Sequence, residues 1–121
     1  MDITTTTRQV GRVTLVDISG RIVLGEESAF LRHLVSDLLD KGHNKILFNL
    51  HDVEYIDTSG LGFLISSLAN IRKRQGELKL LSISQKLQDV MQITKLYTVF
   101  DIFDTETAAL NSFGQPAAAT A

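Results

Sequence analysis

Apolar residues in this chain recur at two spacings, and the alternation between them predicts the order of elements. Ile3 to Val10 alternates weakly and is rich in threonine, as an edge strand is. Gly11-Arg12 separates it from Val13-Thr14-Leu15-Val16-Asp17-Ile18-Ser19. Glycine at the first of two loop positions suits a type II′ turn, so these two strands are expected to pair antiparallel. Asp17 is expected to face solvent near a strand end, and Gly20 to Gly25 to form a loop. From Glu26 the spacing becomes helical. Phe30, Leu31, Leu34, Val35, Leu38 and Leu39 share one face, with Gly42 as the stop. Lys45 to Leu50 is a nearly continuous apolar run, as in a central strand covered on both faces.

A second helix is predicted from Leu61 to Gln75, with Leu61, Leu64, Ile65, Leu68 and Ile71 buried and Gly76 as its stop. Leu78 to Ile83 is the fourth strand. Ser84 caps a helix burying Leu87, Val90 and Met91. Val99 to Phe103 is a fifth strand, and Thr105 to Phe113 a last helix. The order is β-β-α-β-α-β-α-β-α. Such alternation predicts one α/β domain, a mainly parallel sheet with right-handed crossovers and an antiparallel first hairpin. Residues 1–113 form this domain, and the alanine-rich 114–121 is expected to be a flexible tail.

Composition narrows the function without naming it. A formal net charge of −2 gives no electrostatic basis for binding nucleic acid or an anionic membrane. Apolar runs are only a few residues long, far short of the ~20 that span a bilayer. The absence of cysteine removes thiol nucleophiles, disulfides and thiolate metal sites. With no secretion signal at the start, a cytoplasmic location is expected, and a monomer is the default in the absence of a long exposed apolar face. The three histidines, His33, His43 and His51, lack the helical spacing of a zinc site, so no metal or cofactor is expected.

The densest chemistry lies in Asp57-Thr58-Ser59-Gly60-Leu61-Gly62, between the third strand and the second helix. Two hydroxyls fall where a helix should begin, and unpaired N–H groups there accept either a capping hydroxyl or a phosphate. Gly60-Leu61-Gly62 lacks the length and lysine of a P-loop. Ser59 lacks the flanking glycines of a nucleophile elbow. Asp57 stands where a receiver domain carries its phosphoacceptor, but Ile18-Ser19-Gly20-Arg21 supplies no acidic pair for magnesium. Nothing assembles an acid, a base and a nucleophile, so an enzyme is not expected.

Tyr55-Ile56-Asp57-Thr58-Ser59-Gly60-Leu61-Gly62, in this order of elements, resembles the STAS-domain anti-sigma factor antagonists. The resemblance extends to Gly20, Gly42, Gly76-Glu77-Leu78-Lys79-Leu80 and Ile93-Thr94-Lys95-Leu96. It implies a single STAS-like domain and a partner-switching function. The unphosphorylated form would bind an anti-sigma factor that is also a serine/threonine kinase, releasing the sigma factor. The kinase would then use ATP to modify the motif, and a metal-dependent serine/threonine phosphatase would restore binding. By the resemblance Thr58 is the phosphoacceptor, with Ser59 the second choice. Asp57, Gly60, Leu61, Gly62 and Arg21 are the partner-binding candidates. Gly60 and Gly62 would let a partner backbone approach, and Leu61 would be either an apolar anchor or core. Many such antagonists carry Gly-Glu-Leu-Asp after the second strand. Here Gly20-Arg21-Ile22-Val23 removes a carboxylate and adds a cation, which points to a different partner subgroup. The alternative is a constitutive STAS scaffold in a signalling or lipid-transport assembly.

Overall fold

In a computed structural model, which describes residues 1–114, five strands form one sheet in the order β1-β2-β3-β4-β5. The elements are β1 (Ile3–Val10), β2 (Val13–Ile22), α1 (Glu26–Asp40), β3 (Lys45–Ile56), α2 (Thr58–Lys73), β4 (Glu77–Leu81), α3 (Gln85–Thr94), β5 (Asp101–Phe103) and α4 (Glu106–Ser112). β1 and β2 pair antiparallel through the two-residue Gly11-Arg12 turn, with Val10 opposite Val13. The other pairings are parallel. This is the α/β architecture that the periodicity predicts. The alanine-rich stretch expected as a tail lies, from residue 115 on, outside the described residues.

Alternation along the strands divides the core. Ile46, Phe48 and Leu50 of β3 point to one face and join α1, α2 and α3 in the main cluster. Leu47 points to the other face and packs with Leu15, Leu81 and Ala109 of α4. All three crossover helices therefore share one side of the sheet, and α4 covers part of the other. Phe48 and Phe63 stack at the centre, ring centroids 5.7 Å apart and 18° from parallel, both fully buried. Phe63→Ala is expected to cost about 3–5 kcal/mol by removing this ring and leaving a cavity. A fall in the urea midpoint at unchanged denaturant dependence is the check.

Four expectations are corrected. β2 does not end at Ser19: Gly20, Arg21 and Ile22 continue it, pairing with Val53, Tyr55 and Ile56 across two register shifts. The fully buried Ile22 anchors this extension. Asp17 lies mid-strand and is not a free solvent-facing carboxylate. It accepts hydrogen bonds from Arg8 (2.8 and 3.1 Å) and from Asn49 (2.8 Å). The Arg8 guanidinium, and then the Asn49 amide, hold its carboxyl below the usual aspartate range. Phe30 and Ile65 are partly exposed, and Phe63 takes the central place on α2.

The fourth correction concerns the stop of α2. The left-handed residue is Gln75 (φ 61°), not Gly76. Gly76 follows it, donating to Ile71 O at 2.8 Å, and must be glycine because a Cβ there would strike the Asn44 carbonyl. Helix α1 does end on its predicted glycine. Gly42 takes φ 87° while His43 N–H reaches back to Leu38 O at 2.9 Å.

Candidate functional site

Parallel strands end together at one edge of the sheet, and the crevice beyond their carboxyl ends is where open α/β folds place ligands. Here β3 ends at Ile56, and the chain turns directly into α2 through Asp57. The extended backbone of Asp57 (φ −92°, ψ −174°) makes it the N-cap, so the helix begins at Thr58, before the predicted Leu61. Asp57 Oδ1 accepts the Gly60 N–H at 2.9 Å, and Oδ2 accepts the Leu24 N–H at 3.1 Å. One carboxylate thus caps α2 and ties down the loop that leads into α1. The Gly60 N–H, reinforced by that of Leu24, holds this carboxyl below the ordinary aspartate range against partial desolvation.

That shift fixes the sign of a pH effect. A depressed carboxyl stabilises the fold above its unfolded pKa, and the contribution is lost as pH falls through the folded value. Asp57→Ala is expected to lower the melting temperature by a few degrees near neutrality. The gap from wild type should close progressively below the usual aspartate range. Melting curves of both proteins from neutral pH to below pH ~3 check this.

With the cap supplied by Asp57, neither motif hydroxyl is needed to cap the helix. Thr58, the first helical residue, is exposed, whereas Ser59 is half-buried. The Thr58 hydroxyl makes no hydrogen bond among the described residues. Gly60 is explained by packing within its own chain. It is buried against its own chain, and a Cβ there would lie 2.5 Å from Ile22 O and 2.6 Å from Ile56 Cγ2. Around Gly62 the space is open: a methyl group at its Cα would meet nothing within 4 Å. Leu61 is half-buried, packed against the core yet lining a surface cleft. Arg21 projects from β2, its guanidinium 4.9 Å above the ring of the neighbouring Tyr55 and its Nε 3.8 Å from Asp2.

The cleft itself, about 140 Å³, was not anticipated from the sequence. It is lined by the apolar Val53, Ile56, Leu61, Leu87 and Val90 together with Thr58 and Lys86. Helix α3 supplies Lys86, Leu87 and Val90. Ser84 caps that helix, accepting the Leu87 N–H at 3.1 Å, and so fixes where its first turn begins. The cap at Ser84 was legible, and with the carboxyl-end rule it would have located this wall. Among the described residues no group of three or more His, Cys, Asp or Glu is placed to hold a metal ion. No helix of theirs is long and apolar enough to cross a membrane.

Comparison with known proteins agrees with this geometry. Residues 4–109 match the family model of the STAS domain. A candidate anti-sigma factor antagonist of Thermotoga neapolitana is 36% identical over 81 residues, 67% of this chain and 72% of that protein. The anti-sigma-B factor antagonist of Bacillus subtilis is 32% identical over 87 residues, 72% of this chain and 78% of the relative. Among solved structures, a candidate anti-sigma factor antagonist of Thermotoga maritima superposes with a TM-score of 0.81 at 29% identity, covering 92% of this chain and 95% of that one. The antagonist SpoIIAA matches in its unphosphorylated form (TM-score 0.71, 89% and 96% covered) and, from Bacillus, in its phosphorylated form (0.72, 89% and 97%), each at 20% identity. The chain belongs to the STAS-domain family of anti-sigma factor antagonists, which are non-enzymatic regulators.

Proposed function

We propose that this protein is a phosphorylation-controlled antagonist of an anti-sigma factor. Unmodified, it binds an anti-sigma factor that is also a serine/threonine kinase, and the sigma factor is set free. Transfer of a phosphoryl group from ATP to Thr58 ends the binding, and a metal-dependent serine/threonine phosphatase restores it. The docking surface comprises Thr58, Leu61, Gly62 and the lip of the adjoining cleft. Asp57 positions the acceptor and the Leu24 loop, and Arg21 lies at the margin.

One observation carries this reading: the hydroxyl of Thr58 is exposed and uncommitted at the start of α2, because Asp57 performs the capping. A phosphoryl group there adds about −1.5 to −2 charges at the positive end of a helix dipole, where the fold tolerates it. In a docked interface the same group would be desolvated against a partner surface that fits a neutral hydroxyl. The two forms of SpoIIAA match this chain equally well, which supports a modification that leaves the fold in place. Exposure favours Thr58 over the half-buried Ser59.

The test is to map the acceptor. Incubation with ATP and the kinase activity of the source cells should give one phosphoryl group on the peptide containing Thr58. Thr58→Ala should abolish it, and Ser59→Ala should not. Modification confined to Ser59, or absent from this peptide, would overturn the assignment.

A further inference from the structure

Lys86 is a cation that forms no ion pair within the described residues. It stands in the first turn of α3 and lines the same cleft as Thr58. Its ammonium group lies 5.6 Å from the centroid of the Tyr55 ring. Tyr55 also carries Arg21 at 4.9 Å, so two cations stand against one ring of the cleft wall.

We propose that Lys86 is the built-in counter-ion for a phosphoryl group on Thr58, and that the pair, once formed, closes the mouth of the apolar cleft. This rests on the reading of Thr58 as the acceptor and adds how the modified state works. Both residues line the same cleft, Thr58 from the start of α2 and Lys86 from the first turn of α3. A lysine is a compact charge on a flexible four-carbon stem, able to leave an aromatic ring for a dianion within reach. The cation–π contact that it gives up is a weak one at an exposed site.

The other charged groups around the cleft do not remove this partner. Asp57 engages its two oxygens with the Gly60 and Leu24 N–H groups. Glu54 lines the cleft as a single exposed carboxylate, a weaker competitor than a dianionic phosphoryl group. Asp89, one turn along α3, accepts the Gln85 side-chain amide at 2.9 Å. Arg21 contributes field from the β2 side but does not line the cleft. In the unmodified protein the cleft is open to an apolar side chain of the partner. In the modified protein an ion pair stands across it, so the switch covers a binding pocket as well as adding charge.

The experiment uses the full chain with phosphothreonine installed at position 58 during synthesis, titrated by phosphorus NMR. A free phosphothreonine loses its second proton near pH ~6. With Lys86 as counter-ion the dianion is favoured, and this pKa should fall by about half a unit or more. Lys86→Gln should return it toward the ordinary value, and Lys86→Arg should keep it low. Equal phosphate titration in wild type and Lys86→Gln would overturn the proposal. Because position 58 is modified directly, this outcome is independent of the kinase. Failure of acceptor mapping would refute Thr58 as the natural site without changing the titration.

Discussion

Gly60→Val is expected to destabilise the protein by about 3 kcal/mol or more, a large share of the ~5–15 kcal/mol available to a domain of this size. A Cβ at this position would approach Ile22 O to 2.5 Å, and the atoms in its way include backbone, which cannot rotate aside. Valine adds two further carbons against Ile56 and Ile22. Relief requires moving the first turn of α2 away from β2, which breaks the contact that seats Asp57 and Thr58 at the sheet edge. Gly62, two residues on, has open space around it. Gly62→Ala should therefore be neutral or stabilise by up to ~1 kcal/mol through helix propensity. Urea denaturation of the two variants beside wild type decides the matter. Equal stability of Gly60→Val and wild type would show that α2 does not pack on Ile22 in this way.

Thr58→Asp is expected to leave folding nearly intact while lowering affinity for the anti-sigma factor by about 2–5 kcal/mol, roughly 30-fold to several thousand-fold. Both halves follow from position. At the first residue of α2 a carboxylate meets the positive end of the helix dipole and solvent, so the melting temperature should stay within a few degrees. In the docked state the same charge would be buried at the lip of an apolar cleft, beside Asp57 and opposite a partner surface suited to a neutral hydroxyl. The check pairs thermal melting with a binding titration against the anti-sigma factor. A variant that loses binding only because it unfolds would fail the first measurement. One that folds and binds like wild type would contradict the switch.

Local patterns account for what was legible in the sequence. Period-2 and period-3.6 runs define the strands and helices, and capping at Ser84 and the stop at Gly42 are written within a few residues of where they act. The motif from Asp57 to Gly62 is equally local, so its two hydroxyls stand out as acceptor candidates without any knowledge of the fold. The misses are non-local. Gly20 and Arg21 interrupt the apolar alternation and look like a loop, yet β3 continues far enough to pair with them. Asp17 looks like a solvated carboxylate until β1 and β3 bring Arg8 and Asn49 to it. Lys79 is buried, its ammonium donating to Ser112 O at 3.0 Å and lying 5.1 Å from the Phe113 ring, both more than thirty residues away. Val99 and Phe100, predicted as strand, belong to the bend after a 3₁₀ turn at Leu96–Thr98, leaving β5 only three residues. The cleft was missed for the same reason, since its second wall comes from α3.

The central claim is that a phosphoryl group on Thr58 turns partner binding off while the fold persists. The most direct measurement is a binding titration of one purified anti-sigma factor with two preparations of this protein, unmodified and stoichiometrically phosphorylated at Thr58. Tight binding of the unmodified form, with affinity lost by at least about 30-fold on phosphorylation and melting behaviour preserved, is the predicted result. Equal affinity of the two forms would contradict it and leave a constitutive STAS scaffold in its place.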